Sequence, residues 1–425
     1  MTDIFSLKDF KMPEGFLWGS STAGHQIEGN NIHSDRWFTE LEREKNEVDF
    51  QASGKACMHY EMYKQDIDMM EDLGHQAFRM SVEWSRIEPE QGKYDEEALD
   101  HYLDELKYLK EKNIQVFLTL VHFSVPKWFA DLGGFDNIDN LKYFESYVDY
   151  IVPKIAPYVD FWNTLNETNH PNITSQHKIN TLKFHARAYH VIKSYTDTPV
   201  SIAHAFHLYM PKRMFDKFDT TLAEYYDCMV NEYFFHAIRT GEIVLPGIEG
   251  EFVSEVKDTC DFWSVNWYTR DLIDARASKE ALSSKYKHTE MKLIPRCAYF
   301  DEFFAEGMTA VLMRLKDKPV YITENGCCTN DDRYRIIYMS QVLSAVHEAI
   351  DFGADVRGFL YWSLLDNYEW YSFEPRFGMV NVNYDTFERT PKDSAYFFKD
   401  MIENNGFSQD VLRKYLKDFP SLGLK

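Results

Sequence analysis

Two short stretches of this chain run from apolar, strand-like residues straight into a glutamate. They are Trp162-Asn163-Thr164-Leu165-Asn166-Glu167 and Val320-Tyr321-Ile322-Thr323-Glu324-Asn325-Gly326. An asparagine sits beside each Glu. A carboxylate at the C-terminal end of a strand is where a parallel barrel presents its chemistry. Two of them, with Trp residues nearby, point to cleavage of a glycosidic bond: one carboxylate attacks or stabilises the sugar while the other protonates the leaving oxygen. The competing structural reading makes each Glu a strand cap or the opening of a helix. That reading fits either residue alone better than it fits both together.

Positioning two such groups requires a scaffold, and the chain alternates strand and helix patterns throughout. Strands are expected at 15–19, 76–82, 115–121, 160–165, 199–204, 261–266, 319–323 and 357–362. Amphipathic helices are expected at 61–73, 95–112, 141–155, 182–195, 222–240, 303–316, 334–352 and 394–404. Gly74, Asn113 and Gly353 stand where helices should stop. Eight strands with intervening helices and no linker predict one (β/α)8 TIM barrel, an α/β fold forming a single domain over residues 1–425. The alternative, an open doubly wound sheet, would want a phosphate-cradling glycine loop, and no GxGxxG or GxxxxGK follows any strand.

In such a barrel the strand ends are rich in polar groups. Gln26 and Glu28 follow the first strand; Arg79 ends the second, ahead of Glu83-Trp84-Ser85-Arg86. His122 follows the third, Asn166 and Glu167 the fourth, and His204 ends the fifth. Asn266 and Tyr268 follow the sixth, Glu324 the seventh, and Trp362 ends the eighth before Asp366, Glu369 and Trp370. Taken singly each has a bland role: Arg79 as a buried ion-pair partner, Trp84 as core, His204 and His207 as a polar layer. A metal site is not indicated, since His185/His190 and His204/His207 match neither HExxH nor a Cys/His zinc spacing. No GxSxG elbow supports a serine nucleophile, and Cys327-Cys328 read as small packing residues.

Composition narrows the partners. The 425 residues carry a formal charge of -22, spread along the chain, and such a surface repels nucleic acid and anionic membranes. It also disfavours phosphorylated substrates, unless a local basic pocket overrides the global field. Aromatic residues reach 16%, and tryptophans at strand ends suit a sugar, whose C–H faces stack on flat rings. No apolar run is long enough to span a membrane. No secretory leader is recognised, and six Cys without a disulfide framework suit a reducing cytoplasm. The sequon Asn172-Ile173-Thr174 is then a chance match.

The chain also resembles the family 1 glycoside hydrolases, retaining β-glucosidases and β-galactosidases, over nearly its whole length. The resemblance is carried by Phe16-Leu17-Trp18-Gly19 with Gln26-Ile27-Glu28-Gly29, and by Phe78-Arg79-Met80-Ser81-Val82-Glu83-Trp84-Ser85-Arg86-Ile87. Further along come Leu118-Thr119-Leu120-Val121-His122-Phe123, Thr164-Leu165-Asn166-Glu167 and Ile322-Thr323-Glu324-Asn325-Gly326. The last is Tyr361-Trp362-Ser363-Leu364-Leu365-Asp366-Asn367-Tyr368-Glu369-Trp370 with Arg376-Phe377-Gly378.

The resemblance implies that Glu167 is the acid/base and Glu324 the nucleophile, with carboxyls roughly 5–5.5 Å apart as retention requires. It implies that Arg79, Asn266 and Tyr268 orient the nucleophile, and that Gln26, His122, Asn166, Tyr268, Glu369 and Trp370 line the first sugar subsite, with stacking on Trp362. Glu324 should be ionised, and Glu167 should be raised by burial and by the Glu324 charge. No cofactor or metal is implied. The implied partner is a small β-glycoside or short oligosaccharide, and homo-oligomers are compatible with such barrels.

Several positions depart from the family pattern. Thr168 replaces the usual Pro after Asn-Glu, the loop 169–180 is short, and His25 and Trp267 replace tyrosines. Ser372-Phe373-Glu374-Pro375 replaces a longer segment. These changes predict an aglycone side more open than usual. Three readings follow: a retaining exo-β-glucosidase, a 6-phospho-β-glycosidase, and a carbohydrate-binding barrel without turnover. Glu369 argues against the second, because a carboxylate would repel a 6-phosphate and the Lys-x-Tyr pair of the phospho branch is absent. The retention of both glutamates argues against the third.

Overall fold

Eight parallel strands close into a barrel in the computed structural model, which describes residues 4–277 and 303–417. In chain order they are β1 (Leu17–Ser21), β2 (Ala77–Ser81), β3 (Gln115–Val121), β4 (Phe161–Asn166), β5 (Val200–Ala205), β6 (Trp263–Asn266), β7 (Val320–Asn325) and β8 (Val356–Trp362). Each strand pairs with its sequence neighbours, and β8 closes the ring on β1. Sequential order is what repeated strand–helix units produce.

The principal outer helices are α1 (His59–Asp72), α2 (Glu96–Glu111), α3 (Leu141–Ile155), α4 (Ser175–Tyr195), α5 (Lys217–Asp227), α6 (Tyr233–Thr240), α7 (Gly307–Leu312), α8 (Asp332–Asp351) and α9 (Asp393–Asn404). On α2, Leu99, Tyr102, Leu106 and Leu109 recur at helical spacing and are all buried. Each such side chain stabilises the fold by roughly 1.5–3 kcal/mol. Gly74, Asn113 and Gly353 follow α1, α2 and α8 in left-handed conformation, as the sequence predicts. Among the described residues no helix is long and apolar enough to cross a membrane.

Four boundaries differ from the sequence expectation. The first strand begins at Leu17, because Gly15 (φ 81°) completes a turn in which the Phe16 amide donates to the Pro13 carbonyl. The helix expected from 182 starts at Ser175, where the Thr174 hydroxyl caps the His177 amide. Much of the loop expected at 169–180 is therefore the first turn and a half of α4. The helix expected at 222–240 starts earlier, on the Asp216 cap, and a π-helical turn at Cys228–Glu232 divides it into α5 and α6. The helix expected at 303–316 is only Gly307–Leu312.

Side-chain alternation fills the barrel in layers. Phe117, Phe161, Phe262, Tyr321 and Leu360 form an aromatic plug near the N-terminal end, with Phe117 stacked on Phe161 at 4.2 Å. Two residues further along the strands the interior turns polar: Arg79 Nε donates to Thr119 at 3.2 Å and Ser264 bonds Thr323 at 2.8 Å. A dry floor beneath a polar rim is how such a barrel separates stability from chemistry.

Candidate active site

Strict alternation on β7 would send Tyr321, Thr323 and Asn325 to the interior and Glu324 away from it. The pairing of β7 with β8 shifts between Ile322 and Asn325, and that with β6 shifts between Val265 and Asn266. These irregularities turn Glu324 inward beside Thr323. A similar shift between Asn163 and Asn166 re-aims the end of β4, and Glu167 then takes a left-handed conformation (φ 51°). Bulges beside a site commonly re-aim side chains in this way. Gly326 lets β7 pass against β8: a β-carbon there would fall 1.7 Å from the Trp362 carbonyl oxygen.

One polar network joins the two glutamates. The Arg79 guanidinium donates through Nη1 to Glu324 Oε1, and through Nη2 to Asn166 Oδ1 at 2.6 Å. The Tyr268 hydroxyl donates to Glu324 Oε2 at 2.8 Å. Asn266 Nδ2 donates to Glu167 Oε1 at 2.8 Å and to Asn166 Oδ1 at 3.1 Å. Asn266 is thus turned toward Glu167, not toward Glu324 as expected, because its Oδ1 accepts from the Thr323 hydroxyl at 2.7 Å. That bond fixes which face of the amide looks into the site.

The rest of the expected set converges on the same cavity, of about 930 Å³. Gln26 Nε2 donates to Glu369 Oε2 at 3.3 Å and to the Asn367 and Tyr368 oxygens, and Trp362 Nε1 donates to Glu369 Oε1 at 3.0 Å. His122 stacks near Trp362 at 5.9 Å and meets Asn166 Nδ2 through Nε2 at 3.1 Å. Gln26 Oε1 and His122 Nδ1 are buried with no hydrogen-bond partner among the described residues. Leaving such a group unpaired costs about 1–3 kcal/mol. An idle acceptor and an idle ring nitrogen on residues lining one cavity suit hydroxyls, which can both give and take a hydrogen bond. Trp370 lines the same cavity, with the His25 ring stacked on it at 6.1 Å.

Some strand-end residues lie elsewhere. Glu28 pairs with Arg86 at 2.7 Å and Tyr102 at 3.0 Å in a buried cluster beneath the rim. Glu83 accepts from Asn31 at 2.7 Å and from Ser124. His204 packs on Phe234 at 4.6 Å and meets Asn169 and Asn231, a buried polar layer as expected. His207, by contrast, lines the cavity with its Nδ1 2.8 Å from Asp271. Another residue escaped sequence reading altogether: His170 lines the cavity with Nε2 2.8 Å from Glu167 Oε2. Its signal was a histidine three positions after the glutamate, inside the stretch that departs from the family pattern.

The electrostatics reverse the simplest expectation for the two glutamates. Burial raises Glu324 to about 7, with Arg79 opposing and the Glu167 charge reinforcing. Burial also pushes Glu167 upward, but the His170 hydrogen bond and charge, together with the Asn266 amide, outweigh it and hold the carboxyl low. Burial lifts Glu369 to about 8, against the Trp362 and Gln26 donors, so near neutral pH it departs from the repelling carboxylate expected from the sequence. His122 is held neutral by burial and by the Arg79 charge.

A closed parallel barrel that collects two buried glutamates, one guanidinium and several tryptophans at its C-terminal rim defines a barrel O-glycosyl hydrolase. The chain belongs to glycosyl hydrolase family 1, whose model matches residues 8–407. It is 30% identical to beta-glucosidase A of Acetivibrio thermocellus, covering 93% of this chain and 99% of that protein. Among solved structures, a beta-glycosidase from Pyrococcus horikoshii superposes with a TM-score of 0.85 at 33% identity, covering 97% of this chain and all of the other. A beta-glucosidase from Thermotoga maritima in complex with glucoimidazole gives 0.84 at 29% identity, with 94% of this chain and 100% of that chain covered.

Proposed function

We propose that the protein is a retaining exo-β-glycosidase, a β-glucosidase first of all, releasing terminal β-D-glucosyl residues by double displacement. The observation that carries this reading is the Arg79–Asn166–Asn266 network, which links a nucleophile-type carboxyl on β7 to an acid-type carboxyl after β4. Glu324 attacks the anomeric carbon while Glu167 protonates the leaving oxygen; water then enters as Glu167 takes its proton. Arg79 and Tyr268 stabilise the Glu324 anion. Asn166 reaches the sugar 2-hydroxyl, Gln26, His122 and Glu369 hold the outer hydroxyls, and Trp362 and Trp370 pack on the ring. No metal or redox group enters this scheme. The likeness to beta-glucosidase A, and to the Thermotoga maritima beta-glucosidase in complex with glucoimidazole and with deoxynojirimycin, supports a small glycoside as ligand.

Proton NMR of the released sugar tests the reaction class: the β-anomer should appear first and then mutarotate. Initial α-anomer would sink the double-displacement scheme. The phospho reading has a relative in 6-phospho-beta-galactosidase of Staphylococcus epidermidis, 28% identical. Among the described residues, however, no lysine lines the cavity and Glu369 sits between Gln26 and Trp362. Arg36 does line the cavity, over the Trp370 ring at 5.7 Å and with Nη1 donating to the Tyr371 hydroxyl at 3.4 Å; a buried dianion that it did not pair with would be costly. Neutral p-nitrophenyl β-glucoside should therefore be preferred over its 6-phosphate by about 100-fold or more in kcat/KM; the opposite preference would overturn the assignment of Glu369.

Arg79→Lys tests the anion-holding role. An ammonium cannot reach Glu324, Asn166 and Thr119 at once as the planar fork does. The expected result is a loss of about 10²–10³-fold in kcat with KM little changed. A loss confined to KM would mean that Arg79 serves sugar binding instead.

A further inference from the structure

The stretch after Glu167 brings an imidazole onto the acid/base carboxyl. His170 Nε2 lies 2.8 Å from Glu167 Oε2, while the other oxygen, Oε1, is taken by Asn266. The left-handed turn at Glu167 folds the chain back so that residues three apart meet at the cavity wall. The Glu167 side chain is 10% exposed and that of His170 39%, so the imidazole stands between the buried carboxyl and solvent. Its ring is flanked by Phe123 at 6.1 Å and by His207 at 5.7 Å.

We propose that His170 is a positioning residue that shares the acid/base proton with Glu167 and carries it between the buried site and water. The proposal rests on the assignment of Glu167 as acid/base made above. In one arrangement the Glu167 hydroxyl donates to neutral Nε2; in the other, the imidazolium donates to the carboxylate. The first is the acid-competent form. During glycosylation its O–H proton passes to the leaving oxygen as the C1–O bond breaks and a bond from Glu324 to C1 forms. During deglycosylation, water adds to C1, the bond to Glu324 breaks, and Glu167 receives the water proton. The pair then again holds one proton, which His170 can exchange with solvent.

The surrounding charges favour retention of that proton. Burial opposes the imidazolium, but the Glu167 hydrogen bond and charge and the more distant Glu324 outweigh it, with buried Lys178 of α4 acting against; the net direction is upward. From the β5 side, His207 faces His170 with its Nδ1 on Asp271 and Tyr209 stacked behind it. His122 and His204 flank Glu167 and are held neutral by burial. A shared proton leaves such a pair at a higher pH than it would leave Glu167 alone. The basic limb of kcat/KM thus belongs to the pair.

The test is imidazole NMR titration of the full chain, with the His170 signal assigned by its loss in His170→Gln. In the wild type His170 should titrate above the ordinary histidine range, and in Glu167→Gln it should fall by about one unit or more. Identical titration in both proteins would overturn the proposal, whether or not any glycoside is turned over. In the kinetic arm, His170→Gln should move the basic limb for a phenyl β-glucoside about one unit toward acid. A 2,4-dinitrophenyl β-glucoside, whose leaving group needs no proton, should keep its profile. An unmoved limb for the phenyl substrate would also overturn it. Wild-type inactivity on every glycoside, with the NMR coupling intact, would instead point to failure of the glycosidase reading.

Discussion

Glu324→Gln should lower kcat for p-nitrophenyl β-glucoside by about 10⁴-fold or more, since removing a nucleophile removes the covalent route and leaves only binding and polarisation. The amide nearly matches the carboxyl in volume and can still accept from the Tyr268 hydroxyl. What disappears is the negative charge facing Arg79, a fully buried guanidinium. Arg79 keeps its bond to Asn166 in the variant, and circular dichroism must show the protein folded at the assay temperature. Mass spectrometry supplies the complementary measurement: a 2-fluoro-glucoside with a good leaving group should label the wild type on the peptide containing Glu324 and leave the variant unlabelled. Residual turnover above a few per cent, or label on another residue, would remove Glu324 from the nucleophile's role. The pH profile carries the same assignment. Burial sets the Glu324 carboxyl above the ordinary range, at about 7, and only the anion attacks. Free-enzyme kcat/KM should therefore fall as the pH drops through that region.

Glu167→Gln should separate substrates by leaving group. Loss of a general acid costs about 10²–10⁴-fold where the departing oxygen needs a proton. Phenyl and alkyl β-glucosides should therefore lose that much in kcat/KM, while the 2,4-dinitrophenyl glycoside should lose less than about tenfold. Deglycosylation should slow as well, because no base remains to activate water. Azide, which needs no base, should restore turnover and appear in the product as a β-glucosyl azide. Asn266 can still donate to the Gln oxygen, so the local geometry is retained. Equal losses across leaving groups, with no azide rescue, would make Glu167 a structural residue and return the site to an open question.

The two Arg79 contacts explain why these effects should differ in kind. Its guanidinium holds the Glu324 carboxyl directly and reaches the Glu167 side only through Asn166. Loss of Glu324 therefore removes a group that Arg79 holds directly, whereas loss of Glu167 leaves both Arg79 contacts in place.

Much of this was legible along the chain because its causes are local. Alternating strand and helix periods, the stops at Gly74, Asn113 and Gly353, and polar residues at strand ends each depend on a few consecutive residues, and they suffice for the barrel. Family motifs then single out the two glutamates and the sugar-facing set. The misplaced helix starts are also local in origin: the caps at Thr174 and Asp216 stand upstream of the apolar pattern that marked the helices. What the sequence by itself determined was thus the architecture and the candidate reacting groups. Only the tertiary structure decided how they meet. Register shifts at the ends of β4 and β7, which no periodicity announces, turn Asn166 and Glu324 into the barrel. The Thr323 hydroxyl, reached only through strand pairing, turns Asn266 toward Glu167. The left-handed turn after β4 sets His170 on the Glu167 carboxyl and pulls its charge balance away from the simple expectation. Residue types and periods are properties of the chain, whereas the field at a buried carboxyl is a sum over neighbours that become neighbours only when the barrel closes.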